Sequence, residues 1–237
     1  METLKKYLEE TNKKKFLDIG TGSGPFIHFL TSIYDGYDEF VGIDLHEKAI
    51  EAAEKNNKNE RIKYLKMDAQ KIDFEDESFD VVCISNSLHH LEQPVIVLRE
   101  MARVLKKDGF ILMKEMINEG LDENQKSHMF LHHLAAKIDR YNGDFHDVTY
   151  GRSKLKDILT RDGLFEIELA FDLEVERVTS NTEEELEYMY NILKRVTSRT
   201  PAEHVDEIEK EAEQLKKHIE KYGYDGATSL VVILKKK

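Results

Sequence analysis

The stretch Phe16–Pro25, FLDIGTGSGP, sets three glycines, Gly20, Gly22 and Gly24, at alternate positions directly behind a short apolar run. An apolar run, a glycine cluster and then Pro25-Phe26-Ile27 reads as strand, tight turn and helix, with Pro25 in the first helical turn where its missing N–H is tolerated. Such a turn lets the backbone approach a ligand closely and presents free amides at a helix N-terminus. Two classes of nucleotide-type cofactor use it. The dinucleotide fingerprint requires Gly-x-Gly-x-x-Gly, whose last glycine permits close helix packing. Counted from Gly20 that glycine falls at Pro25, and counted from Gly22 at Ile27, so neither register fits.

Outward from this turn, apolar runs alternate with helical patterns, the signature of a parallel sheet covered by helices on both faces. Strands are predicted near 15–19, 39–44, 62–67, 79–84 and 109–115, with helices over 25–34, 46–57 and 94–106. Pro94 starts the last of these and Asp108-Gly109 is expected to close it. The rhythm then changes. A helix over 121–141 precedes a helix-strand pair at 152–162 and 164–171, and helical patterns at 182–197 and 201–222 separate that pair from a final strand, ATSLVVIL. Val205, Ile208, Ala212, Leu215 and Ile219 give the last helix its apolar spacing. The expected organisation is one domain over 1–237, with the helix over 1–12 and helical insertions at 121–150 and 180–224 covering a cleft.

Bulk properties narrow the function. A chain of 237 residues buries a substantial core as one elaborated domain. Its formal charge of -12 argues against a nucleic-acid partner, because neutralising phosphates takes clustered Lys and Arg. No run approaches the roughly 18 apolar residues of a membrane span, so no membrane partner is expected either. The opening METLKKYLEE lacks a secretory apolar segment and Cys83 is the single cysteine, so no internal disulfide can form and a cytoplasmic location is expected. A small-molecule substrate fits best, and the sequence leaves the oligomeric state unspecified.

The pattern Asp18-x-Gly20-x-Gly22-x-Gly24 resembles motif I of the class I S-adenosylmethionine-dependent methyltransferases, and further segments extend the likeness. They are FVGIDLHEKAI ending the second strand, IKYLKMDAQKI around the third, FDVVCISNSLHHLEQP around the fourth and LREMARVLKKDGFILM leading into the fifth. Together they cover roughly residues 14 to 116 in the family's order and spacing, with a core like that of the type 11 methyltransferases. The resemblance implies a doubly wound, Rossmann-like α/β fold with a seven-stranded sheet, mostly parallel and antiparallel at its last strand. It also implies S-adenosyl-L-methionine as cofactor, with S-adenosyl-L-homocysteine as product.

Residue by residue, the resemblance places Asp18 at the ammonium of the methionine portion and the backbone of Gly20, Thr21, Gly22 and Gly24 around the cofactor. Asp44, with Leu45 beside it, falls where the family binds the ribose hydroxyls, and a carboxylate suits a diol because it accepts from both. Asp44 also reads as the N-cap of the next helix. Asp68 and Ala69 match the adenine position, and Ser85 and Asn86 the methionine end. His89 and His90 follow the fourth strand beside the cleft, where an imidazole is a candidate general base, and His128 and His132 further along the chain are candidates for the same role. Cys83, inside an apolar strand, reads as an inert buried side chain.

The insertion LDENQKSHMFLHHLAAKIDRYNGDFHDVTYGR holds four of the ten histidines, and the family's core motifs do not require it. Asp122 with Gln125 forms a capping-box pattern and Asn142-Gly143 a stop, so the helix between them is credible. Phe130, Leu131, Leu134, Ile138 and Tyr141 form its apolar stripe. His128, His132 and Asp139 share the opposite face, and His146 lies beyond the turn. The set is compatible with a solvated polar face, a substrate pocket or a metal site. The expected function is methyl transfer to a small-molecule acceptor by in-line displacement. The alternatives are a metal-assisted methyltransferase using His128, His132, Asp139 and His146, and a nonenzymatic nucleotide-binding or NAD-dependent protein on a similar sheet.

Overall fold

A computed structural model describes residues 1–173 and 182–237. Its seven strands form one sheet in the order β3-β2-β1-β4-β5-β7-β6. The strands are β1 (Lys15–Ile19), β2 (Glu39–Asp44), β3 (Ile62–Lys66), β4 (Phe79–Ser85), β5 (Leu105–Met116), β6 (Phe165–Leu173) and β7 (Ser229–Lys236). Pairing is parallel from β3 through β5, and β7 runs antiparallel to both β5 and β6. The class and sheet expected from the sequence are therefore the ones formed.

Alternation along each strand feeds two cores, as a sheet covered on both faces requires. Phe16, Phe40, Val81, Cys83, Phe110, Leu112, Val231 and Ile233 pack on one face beneath α1 (Glu2–Thr11), α2 (Pro25–Ile33) and α3 (Glu47–Asn56). Leu17, Val41, Val82, Ile84, Ile111, Met113, Val232 and Leu234 pack on the other beneath α4 (Pro94–Val104) and α6 (Arg152–Thr160). A third, separate cluster joins Leu131, Leu134 and Ile138 of α5 (Glu123–Tyr141) to Met189 and Leu193 of α7 (Glu183–Thr197) and to Ile208, Leu215 and Ile219 of α8 (Val205–Tyr222). The insertion expected from 180 starts at residues 180 and 181, which lie outside the described residues.

Local signals set several boundaries. Asp122 accepts from Gln125 N at 3.0 Å while the Gln125 side chain takes the Asp122 amide, and at the far end Gly143 turns the chain at φ +89°. Two expectations are corrected. Helix α4 stops at Val104, and Asp108-Gly109 belongs to β5, where a register shift lets Leu105 face Phe79 and Phe110 face Val81. A Cβ on Gly109 would sit 2.7 Å from Asp80 O, so this glycine admits the neighbouring strand and is no helix stop. Helix α1, expected over the cleft with the insertions, lies on the sheet face instead. Its Leu4 and Leu8 are fully buried there, and Tyr7 stacks edge-on against Phe110 at 5.1 Å, near the amino end of β5.

Candidate functional site

Strands β1 and β4 are neighbours, yet the chain leaves β1 toward β2 and β3 and leaves β4 toward β5. Their carboxyl ends form the topological switch point where open α/β sheets bind ligands. The turn after β1 holds Gly20, Gly22 and Gly24 at φ +65°, +56° and +86°, left-handed values that explain the residue choice. It is tied down on both sides. Thr21 N donates to Ile43 O at 2.9 Å, Gly22 N to Asp44 Oδ2 at 2.9 Å, and Ser87 Oγ to Gly20 O at 3.1 Å. Ser87, which bridges the two strand ends, was missed by sequence reasoning. Nothing in SNSL marks it apart from its neighbours.

Asp18 lies beneath this turn, between Gly42 and Cys83 in the sheet register, with a relative exposure of 1%. Both its carboxylate oxygens, Thr21 Oγ1 and Tyr64 Oη are buried without a hydrogen-bond partner. Burial pushes the Asp18 carboxyl up to about 7. The same surroundings raise the Cys83 thiol well above its usual range, consistent with an inert side chain.

The other sequence-selected residues fall along the carboxyl ends. Asp44 Oδ1 accepts from His46 N at 2.9 Å, and His46 is the N-cap of α3, so Asp44 supports the turn rather than capping the helix itself. Leu45 is 59% exposed beside it. Met67 N donates to Asp44 O at 2.9 Å, which sets the loop carrying Asp68 and Ala69 against the end of β2. Asp68 is exposed and accepts from Gln70 N, and Ala69 packs against the core. Ser85 ends β4. Asn86 adopts φ +47° and its Oδ1 accepts from Met116 N at 3.0 Å, so its side chain pins β5.

The histidines are arranged differently from the expectation. His89 is buried, with Nδ1 2.9 Å from Glu115 Oε2 and Nε2 3.1 Å from His132 Nε2. His146 Nδ1 lies 2.7 Å from Asp139 Oδ2, and the His90 and His146 ring centroids are 3.8 Å apart. One ring nitrogen from each of His89, His90, His132 and His146 lies within 4.8 Å of the others. Burial and the neighbouring rings push His132 down to about 2. His128, expected in this group, is elsewhere: it accepts from Ala227 N at 3.0 Å and packs against Tyr224. Asp139 contributes through His146, and the face is packed rather than solvated.

Glu115, 1% exposed, was also missed. Its Oε1 accepts from Ser87 N and Leu88 N, so one carboxylate fixes the loop after β4 and the His89 ring together. The available signal was an acidic residue inside the apolar strand GFILMKEM. A groove of about 580 Å³ lies apart from this region, between α5 and α8, lined by Phe130, Leu134, Lys137, Arg140, Glu211 and His218 among others. Tyr7, Tyr141 and Arg152 bond to Glu168, Glu207 and Asp172.

Residues 17–113 match the family model described as a methyltransferase domain. Among curated proteins, the demethylmenaquinone methyltransferase of Thermotoga maritima is 29% identical over 165 residues, covering 67% of this chain and 69% of that protein. A protein of the same description from Staphylococcus aureus is 35% identical over 102 residues, or 43% of this chain and 42% of its own length. Among solved structures, the YcgJ protein of Bacillus subtilis superposes with a TM-score of 0.63 at 19% identity, covering 100% of this chain and 97% of that one. A SAM-dependent methyltransferase from Methanosarcina mazei gives 0.54 at 19%, covering 95% and 93%. The [4+2]-cyclase SpnF gives 0.60 at 18%, covering 99% and 81%, so the shared fold by itself does not fix the reaction.

Proposed function

We propose that this chain, whose residues 17–113 match the model of a methyltransferase domain, is a class I methyltransferase that transfers the methyl group of S-adenosylmethionine to a small-molecule acceptor. The observation that carries the reading is the buried Asp18 carboxylate, both oxygens unpartnered, under a turn of left-handed glycines. A dinucleotide brings a doubly anionic pyrophosphate to such a turn, and the Asp18 carboxylate beneath it would repel that charge, whereas Asp44 suits the ribose of either cofactor. S-adenosylmethionine brings an ammonium and a sulfonium, which Asp18 would attract. The residues present fit this cofactor.

Its sulfonium makes the methyl group electrophilic before the protein acts, so the chain's work is to align the acceptor and exclude water. Asp18 would hold the ammonium, with Gly20, Thr21, Gly22 and Gly24 enclosing the methionine end. Asp44 Oδ2 keeps a lone pair beyond the Gly22 amide for one ribose hydroxyl, and Oδ1, which meets both His46 N and the exposed His46 ring, would take the second once that ring turns away. Leu45 would pack beside the ribose, Asp68 and Ala69 at the adenine, and Ser85 and Asn86 under the sulfur. The insertions carrying α5, α7 and α8 would close over the acceptor. His89 is a poor candidate base, since Glu115 and His132 occupy both its ring nitrogens; His90 is the more exposed of the pair.

The curated relatives' names put demethylated quinols first among acceptors to try. The test is transfer of labelled methyl from S-adenosylmethionine in a panel of quinols, phenols and amines. Label in a small-molecule product supports the reading. Label confined to RNA or protein added in parallel overturns it.

A further inference from the structure

Four imidazoles from three separate segments converge beyond the carboxyl end of β4. His89 and His90 lie in the single turn Leu88–His90, His132 on α5 and His146 in the loop after it. We propose that they bind one divalent transition-metal ion, zinc by the chemistry of the set, with His89, His132 and His146 as the inner ligands and His90 completing the tetrahedron. The site stands apart from the methyl-transfer reading and does not depend on it.

For His89 and His146 the protonation pattern is already that of ligands, and His132 presents its Nε2 lone pair once the hydrogen it shares with His89 moves to its unpartnered Nδ1. Glu115 takes the Ser87 and Leu88 amides on one oxygen, so its other oxygen can only accept from His89 Nδ1, which leaves the His89 Nε2 lone pair facing the cluster. Asp139 does the same for His146 at 2.7 Å while its second oxygen takes Arg199. His146 Nε2 then carries a buried lone pair with no donor, on a residue 4% exposed. Carboxylates that fix the tautomer of a ligating histidine through its other nitrogen are the usual outer support of a metal site.

Distances and charge agree. Zinc–nitrogen bonds of about 2.0–2.1 Å in a tetrahedron set the ligand nitrogens about 3.4 Å apart. His89 Nε2 and His132 Nε2 are at 3.1 Å, and the whole set spans at most 4.8 Å, so closure takes side-chain adjustments of about an ångström. Two carboxylates behind neutral imidazoles offset the charge of a divalent ion. An all-imidazole set suits zinc and its transition-metal neighbours and is unsuited to magnesium or calcium, which take oxygen ligands.

The test uses untagged full-length protein, stripped with chelator and titrated with zinc against a chromophoric competitor. One equivalent bound with sub-micromolar affinity is expected. His132→Ala should weaken it by at least about 100-fold and Glu115→Gln by about 10- to 100-fold. His128→Ala, one helical turn away, should leave it unchanged. Cobalt(II) bound to the unmodified chain should give the strong visible bands of a tetrahedral nitrogen site, which keeps the proposal decidable if a variant misfolds. Absence of a stoichiometric site, cobalt bands of an octahedral ion, or equal loss in His128→Ala and His132→Ala overturns it.

Discussion

Asp44 Oδ2 accepts the Gly22 amide at 2.9 Å, so the end of β2 clamps the middle of the glycine turn. One side chain thereby shapes the turn and presents oxygens at the proposed ribose position. Asp44→Ala removes both functions. Its loss should weaken S-adenosylhomocysteine binding by about 1–3 kcal/mol, or roughly 5- to 150-fold, through lost charged hydrogen bonds. Titration calorimetry checks it, and unchanged affinity would mean that Asp44 serves the turn alone.

Asp18 gives the ligand-free protein a specific pH dependence. An acid whose folded-state pKa exceeds its unfolded value holds its proton more tightly when folded. For Asp18, raised by burial from 3.8 to about 7, the folded state is favoured below 3.8 and loses that advantage as pH rises through about 7. Asp18→Asn should abolish this loss, so the ligand-free variant should be more stable than the parent at pH 8 and lose its S-adenosylhomocysteine affinity. Urea melts at pH 5 and 8 measure the first effect. A parent protein as stable at pH 8 relative to the variant as at pH 5 would contradict the burial of an unpartnered carboxyl.

The glycines separate fold from binding. A Cβ on Gly22 meets nothing within 4 Å, whereas one on Gly24 would collide with the Tyr64 hydroxyl. Gly22→Ala should therefore cost about 1–2 kcal/mol of stability from its left-handed backbone, while removing cofactor binding because the added methyl points into the ligand's space. Gly24→Ala adds a clash to the same strain and should destabilise more. Thermal melts and calorimetry on the two variants distinguish them, and full binding by Gly22→Ala would place the ligand elsewhere.

What the sequence disclosed was local. The apolar runs of β1 to β4, the Asp122–Gln125 box and the Asn142-Gly143 stop depend on neighbours in the chain, and all formed where expected. Long-range partners were not legible. Leu105 continues the apolar spacing of α4, yet it is drawn into β5 by pairing with Phe79. The spacing of His128 and His132 puts both on one face of a helix, but only the fold decides that His132 meets His89 while His128 meets the 227 amide. Ser87 and Glu115 belong to that same category: their roles exist only once the ends of β1, β4 and β5 are side by side. Leu4 and Leu8 signalled an amphipathic helix without saying which surface it would cover.

The most direct measurement of the central claim is paired calorimetry of the purified chain with S-adenosylhomocysteine and with NAD. The buried, unpartnered Asp18 beneath the glycine turn predicts one-site micromolar binding of S-adenosylhomocysteine and none of NAD. Binding of NAD without S-adenosylhomocysteine would contradict the account.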